Sequence, residues 1–83
     1  MKRKGLLGRI EINPRIMLGK PLIRGTRITV EAILEKLAAD IPIEEILEDY
    51  PRLTRADVLA AIDYARQAVG TDEVIPAAAP GRK

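Results

Sequence analysis

From Val30 onward the apolar residues recur at helical spacing. Val30, Ile33, Leu34, Leu37, Ala38 and Ile41 fall at i, i+3, i+4, i+7, i+8 and i+11, which predicts an amphipathic helix over about 30–40. Thr29 precedes it as an N-cap. Ile43, Ile46, Leu47 and Tyr50 repeat the spacing and predict a short second helix over 43–50, with Pro42 in its first turn and Pro51 ending it. A third helix is expected over 55–69. Thr54 and Asp57 before it form a capping box with Asp in place of Glu. Val58, Ile62, Ala65 and Val69 make its apolar stripe, flanked by Leu59 and Ala61, and Gly70 is its expected C′ residue. Connections this short make the three helices packing neighbours.

The pattern changes upstream. Ile10 and Ile12 alternate with polar residues, so "RIEI" reads as a strand, and Asn13-Pro14 as a turn. "IML" and "PLI" lie either side of Gly19-Lys20, which predicts a hairpin turn there, with Pro21 confining its strand to an edge. Gly25 supplies a second turn, "RGT". The expected fold is mainly α: a three-helix, helix-turn-helix bundle preceded by a β-hairpin over 9–28. The globular domain spans 9–70, after a basic arm at 1–8 and before a flexible tail at 71–83.

Charge divides the chain. Residues 1–28 hold eight Lys/Arg against Glu11 alone, a net of +7, whereas residues 29–69 hold four cations against nine acids, a net of −5. Such a split means that the halves face different partners or each other. Cysteine, histidine and serine are absent, which removes the common nucleophiles, the usual general base and the thiolate and imidazole metal ligands. Glu44, Glu45, Glu48 and Asp49 include i,i+4 pairs, but di-metal bundles of that kind also use histidine, so a solvated helix face is the better reading. No enzyme activity, cofactor or metal is expected. No apolar run has the length of a membrane span, and a cytoplasmic protein is expected.

The stretch "GKPLIRGTRITV" is not a phosphate-binding P-loop, because Pro21 follows Gly19-Lys20 where Ser or Thr is needed. Gly19 and Gly25 read as turn formers, which leaves Lys20, Arg24 and Arg27 on a compact segment, either able to meet phosphates or carboxylates or standing as solvated loop charges. For nucleic acid, Lys2, Arg3, Lys4 and Arg9 of the arm are better candidates than the third helix. That helix offers Arg55 but lies in the negative half of the chain. The small core and the "IML" and "PLI" strand edges lead to the expectation of a homodimer.

Asn13-Pro14, Gly19-Lys20-Pro21, Gly25-Thr26-Arg27-Ile28, Glu44-Glu45-Ile46, Tyr50-Pro51 and Leu53-Thr54 follow one another at spacings that closely resemble the domain-of-unknown-function family numbered 433, across about residues 10–69. The resemblance implies a homeodomain-like three-helix fold behind a β-hairpin. It also implies an antitoxin of the VapB type, whose partner is a PIN-like ribonuclease toxin that holds Mg²⁺ in a cluster of carboxylates. On that basis Lys20, Arg24 and Arg27 are the candidate toxin contacts, and operator DNA is a further candidate partner. The alternative is a stand-alone helix-turn-helix regulator of transcription. Where the family often has Ser or Thr, this chain has Pro42, so a side-chain cap on the second helix is not expected.

Overall fold

The computed structural model describes residues 6–70. Lys2, Arg3 and Lys4 of the basic arm, and the tail at 71–83, lie outside the described residues. Two short strands, β1 (Ile10–Glu11) and β2 (Leu22–Ile23), precede three helices, α1 (Val30–Ala38), α2 (Ile43–Asp49) and α3 (Arg55–Val69). The protein is mainly α, with an antiparallel two-stranded hairpin in front, as the apolar spacing predicts.

The helix starts follow their capping residues. Thr29 Oγ1 accepts from the Ala32 N–H at 3.0 Å. At α3 the capping box is complete: Asp57 N–H donates to Thr54 Oγ1, and Thr54 N–H donates to Asp57 Oδ2 at 3.0 Å. Each satisfies an N–H that the helix leaves without a partner. Pro42 stands at the N-cap of α2, which has no side-chain cap. At the end of α1, Asp40 adopts φ 67°, and the Ile41 and Asp40 N–H groups return to the Lys36 and Leu37 carbonyls. This is a Schellman termination with aspartate in the position that favours glycine. Gly70 behaves otherwise: its φ is −87°, so it does not supply the left-handed C′ turn expected of it.

The hairpin differs from its sequence reading. β1 pairs with β2 in the register Ile10 to Ile23 and Glu11 to Leu22, so residues 12–21 form the connection and no tight turn at Gly19-Lys20 joins two strands. "IML" is not a strand. Met17, Leu18 and Gly19 have φ of 50°, 58° and 80°, a left-handed run closed by the Gly19 and Lys20 N–H groups on the Ile16 and Met17 carbonyls. The second turn is as expected: Gly25 has φ 83°, the Ile23 N–H donates to the Ile28 carbonyl, and Leu22 bridges to Thr29 at the start of α1.

Ile23, Val30, Ile33, Ile46, Leu53, Val58 and Ala61 form the core, with Ile10, Ile28, Leu37 and Tyr64 among the half-buried residues packed on it. The hairpin thus completes the helical core rather than standing apart from it. The buried face of α3 is rotated from the predicted stripe. Asp57, Val58, Ala60 and Ala61 face inward, while Ile62 and Val69 face solvent with Leu59. Side chains as small as Ala60 and Ala61 let α3 approach its neighbours closely, and the bulkier apolar positions are turned out.

Candidate partner-binding surface

The three cations of the "GKPLIRGTRITV" stretch hold three different positions. Lys20 Nζ pairs with Glu31 Oε1 on α1 at 3.0 Å, across an exposed surface. Arg24 is used inside the fold: its Nε donates to the Gly8 carbonyl at 2.9 Å and its Nη2 to the Ile10 carbonyl at 3.3 Å. Its backbone N–H also donates to the Arg9 carbonyl at 2.8 Å, so the residue clasps the β1 segment from two directions. Arg27 is exposed and has no hydrogen-bond or ion-pair partner among the described residues. The nearby acid Glu31 pairs with Lys20 instead.

Arg27 borders an open depression of about 500 Å³ walled by Glu11, Ile16, the Gly25–Ile28 turn and Arg52. Arg52, which the sequence reading missed, donates from Nη2 to the Gly25 carbonyl at 3.1 Å. Thr26 Oγ1 donates to the Ile23 carbonyl and accepts from the Ile28 N–H. These bonds brace the backbone of the turn that carries Arg27. The turn needs Gly25 for its φ. A Cβ there would meet no atom within 4 Å, so backbone conformation and not crowding selects the glycine.

Of the cations assigned to nucleic acid, the two among the described residues, Arg9 and Arg55, stand beside acids. Arg9 Nη1 donates to Asp57 Oδ1 at 3.1 Å, and Asp57 is buried. Arg55 lies 3.8 Å from Glu44, both well exposed, and Arg66 Nε and Nη2 reach Asp63 at 3.1 and 2.9 Å. Surface pairs of this kind contribute little stability, but they neutralise the positive charge that a phosphate backbone would meet. Between Arg55 and Arg66, the outward face of α3 presents Leu59 and Ile62, with Val69 beyond at 77% exposure. Among the described residues no group of three acids is placed to hold a metal ion, and no helix is long and apolar enough to cross a membrane.

The left-handed turn adds a feature that no sequence signal announced. Leu18 is 93% exposed and Met17 is exposed beside it. A non-glycine residue in this backbone region costs about 1–2 kcal/mol, and Leu18 recovers almost none of that by burial.

Comparison with known proteins places this arrangement in a family. The crystal structure of a DUF433 member protein from Anabaena variabilis ATCC 29413 superposes with a TM-score of 0.70 at 35% identity, covering 80% of this chain and 65% of that one. This chain therefore spans about two-thirds of the length of that relative. No curated protein matches the chain. The profile of the protein family of unknown function DUF433 matches residues 10–65, from β1 into α3, and the chain belongs to that family.

Proposed function

We propose that this protein is a cytoplasmic, non-enzymatic binding module of antitoxin type, which neutralises a PIN-like ribonuclease by direct contact. The observation that carries the protein-binding part is the outward face of α3. In a helix-turn-helix reader that face is expected to offer free Arg, Lys, Asn or Gln to base edges. Here it offers Leu59 and Ile62, and its arginines are turned onto Asp63 and Glu44. Exposed aliphatics in a row at helical spacing suit a protein surface better than a duplex.

The neutralising element in this reading is Arg27 with Arg52. A carboxylate cluster that holds Mg²⁺ is matched by guanidinium groups, which form charge-assisted and often bidentate pairs with carboxylates. Arg27 is free to do so and Arg52 stands across the same depression. Arg24, already spent on two carbonyls, serves the fold, and Lys20 is paired with Glu31.

Co-expression with the product of the adjacent reading frame, followed by pull-down and an RNA-cleavage assay, tests this. The expected result is co-purification and suppressed cleavage, with suppression lost in folded Arg27→Glu. Failure to co-purify, or full suppression by Arg27→Glu, refutes it. The competing stand-alone regulator predicts salt-steep binding to upstream DNA that weakens when Lys2, Arg3, Lys4 and Arg9 are replaced, with Arg55 and Arg66 mattering less.

A further inference from the structure

The left-handed turn at Met17–Gly19 adjoins an apolar groove. The groove, about 520 Å³, runs between α1 and α3. It is lined by Leu34, Ala38, Ala65 and Val69 together with the acids Glu31 and Glu35. The turn has the opposite character. It projects Leu18 almost fully into solvent and carries Arg15 and Lys20 at its two ends. Pro21 lines the groove directly after Lys20, so turn and groove adjoin on the same side of the molecule.

We infer that the occupant of this groove is the Leu18 turn of a second copy of the chain, in a reciprocal two-fold dimer. Three observations support a second copy. The anchor is held in a strained conformation that the isolated fold does not reward, which is characteristic of residues whose reward lies in a contact. The charges are complementary: Lys20 and Glu31 satisfy each other within the chain, which leaves Arg15 on the turn and Glu35 at the groove without side-chain partners among the described residues. Finally, turn and groove lie side by side, so a two-fold axis between them seats each turn in the other copy's groove and closes the assembly. The contact pairs Arg15 of one protomer with Glu35 of its partner. It is small by the standard of stable dimers, which bury about 800 Å² on each side, so the dimer is of modest affinity.

Sedimentation of the full chain between roughly 5 and 200 µM, a range spanning modest dimer affinities, tests the inference. The wild type is expected to pass from monomer to dimer across that range. Leu18→Gly suits the left-handed backbone and keeps the fold, and it is expected to weaken dimerisation about tenfold or more, as loss of a central anchor does. Arg15→Glu and Glu35→Arg should each weaken it several-fold, whereas the doubly substituted chain should recover most of the wild-type affinity. A monomeric wild type, as would result if the chain's own residues fill the groove, overturns the proposal. So does Leu18→Gly dimerising like wild type, or a charge-swapped chain no tighter than its single variants. Loss of the dimer in Ile62→Asp but not in Leu18→Gly would move the contact to the outer face of α3 and overturn it as well.

Discussion

Replacing Asp57 by alanine should be the most damaging single change to a polar side chain near the start of α3. Asp57 Oδ2 accepts from the Thr54 N–H at 3.0 Å and Oδ1 accepts from Arg9 Nη1 at 3.1 Å, with the residue only 6% exposed. A hydrogen bond to a charged group contributes about 1.5–3 kcal/mol. The Arg9 side chain is 44% exposed, so its ion pair is screened and adds at most about 1 kcal/mol. Thr54 lies at the surface, where water can replace the lost acceptor, which keeps the sum near the lower values. Asp57→Ala should therefore cost about 2–3 kcal/mol, or roughly 10–20 °C in Tm for a domain of this size. Asp57→Asn retains an oxygen for the Thr54 N–H and should cost only about 1 kcal/mol. Arg9→Ala should cost about 0.5–1 kcal/mol. Urea unfolding at one fixed protein concentration measures all three, since self-association shifts apparent stability. A cost below about 0.5 kcal/mol for Asp57→Ala, or an equal cost for Arg9→Ala, would refute this reasoning, because the cap is meant to dominate the ion pair.

Three further outcomes follow from the backbone and the hairpin. Asp40→Gly removes a left-handed penalty of about 1–2 kcal/mol and adds chain entropy worth about 0.5–1 kcal/mol to the unfolded state, so thermal unfolding should show a net gain of about 0.5–1 kcal/mol. Gly25→Ala meets no atom yet must hold φ 83°, so it should cost about 1 kcal/mol in the same assay. Arg24→Ala should speed amide exchange across the β1–β2 ladder, whereas Arg27→Ala should leave exchange and stability unchanged within about 0.5 kcal/mol.

What the sequence made legible was what local chemistry decides. Helix starts are written in Thr29 and Thr54, and the apolar spacing of α1 and α2 allows one buried face each. For α3 the spacing pointed to Val58, Ile62, Ala65 and Val69, whereas the buried face combines Val58 with Asp57, Ala60 and Ala61. Alanine's small area argues weakly in a periodicity count, yet in the folded protein it permits the close approach that decides the rotation. The Met17–Gly19 turn was illegible for a different reason. Leucine and methionine avoid the left-handed region, so residue preference pointed to a strand and the longer connection overrode it. Arg52 was hidden because its link to the Gly25 carbonyl joins segments distant in sequence. The family resemblance, by contrast, was carried by turn and cap residues whose spacing survives in the fold.

The charge division of the chain has a largely internal explanation. Of the cations in the described part of the basic half, Arg9 reaches Asp57, Lys20 reaches Glu31, and Arg24 is bound to two carbonyls. The two halves therefore face each other through two of these contacts, Arg9 with Asp57 and Lys20 with Glu31, and the +7 of the first 28 residues overstates the positive field offered to solvent. Arg15 and Arg27 are the two cations of that half, among the described residues, whose side chains remain unclaimed. They stand on separate turns, Arg15 at the edge of the left-handed loop and Arg27 over the depression shared with Arg52. A protein that used bulk positive charge to hold a polyanion would gain little by neutralising its cations internally. One that recognises particular carboxylates gains from it, because two unpaired guanidinium groups at fixed sites discriminate by geometry, where a diffuse field discriminates hardly at all.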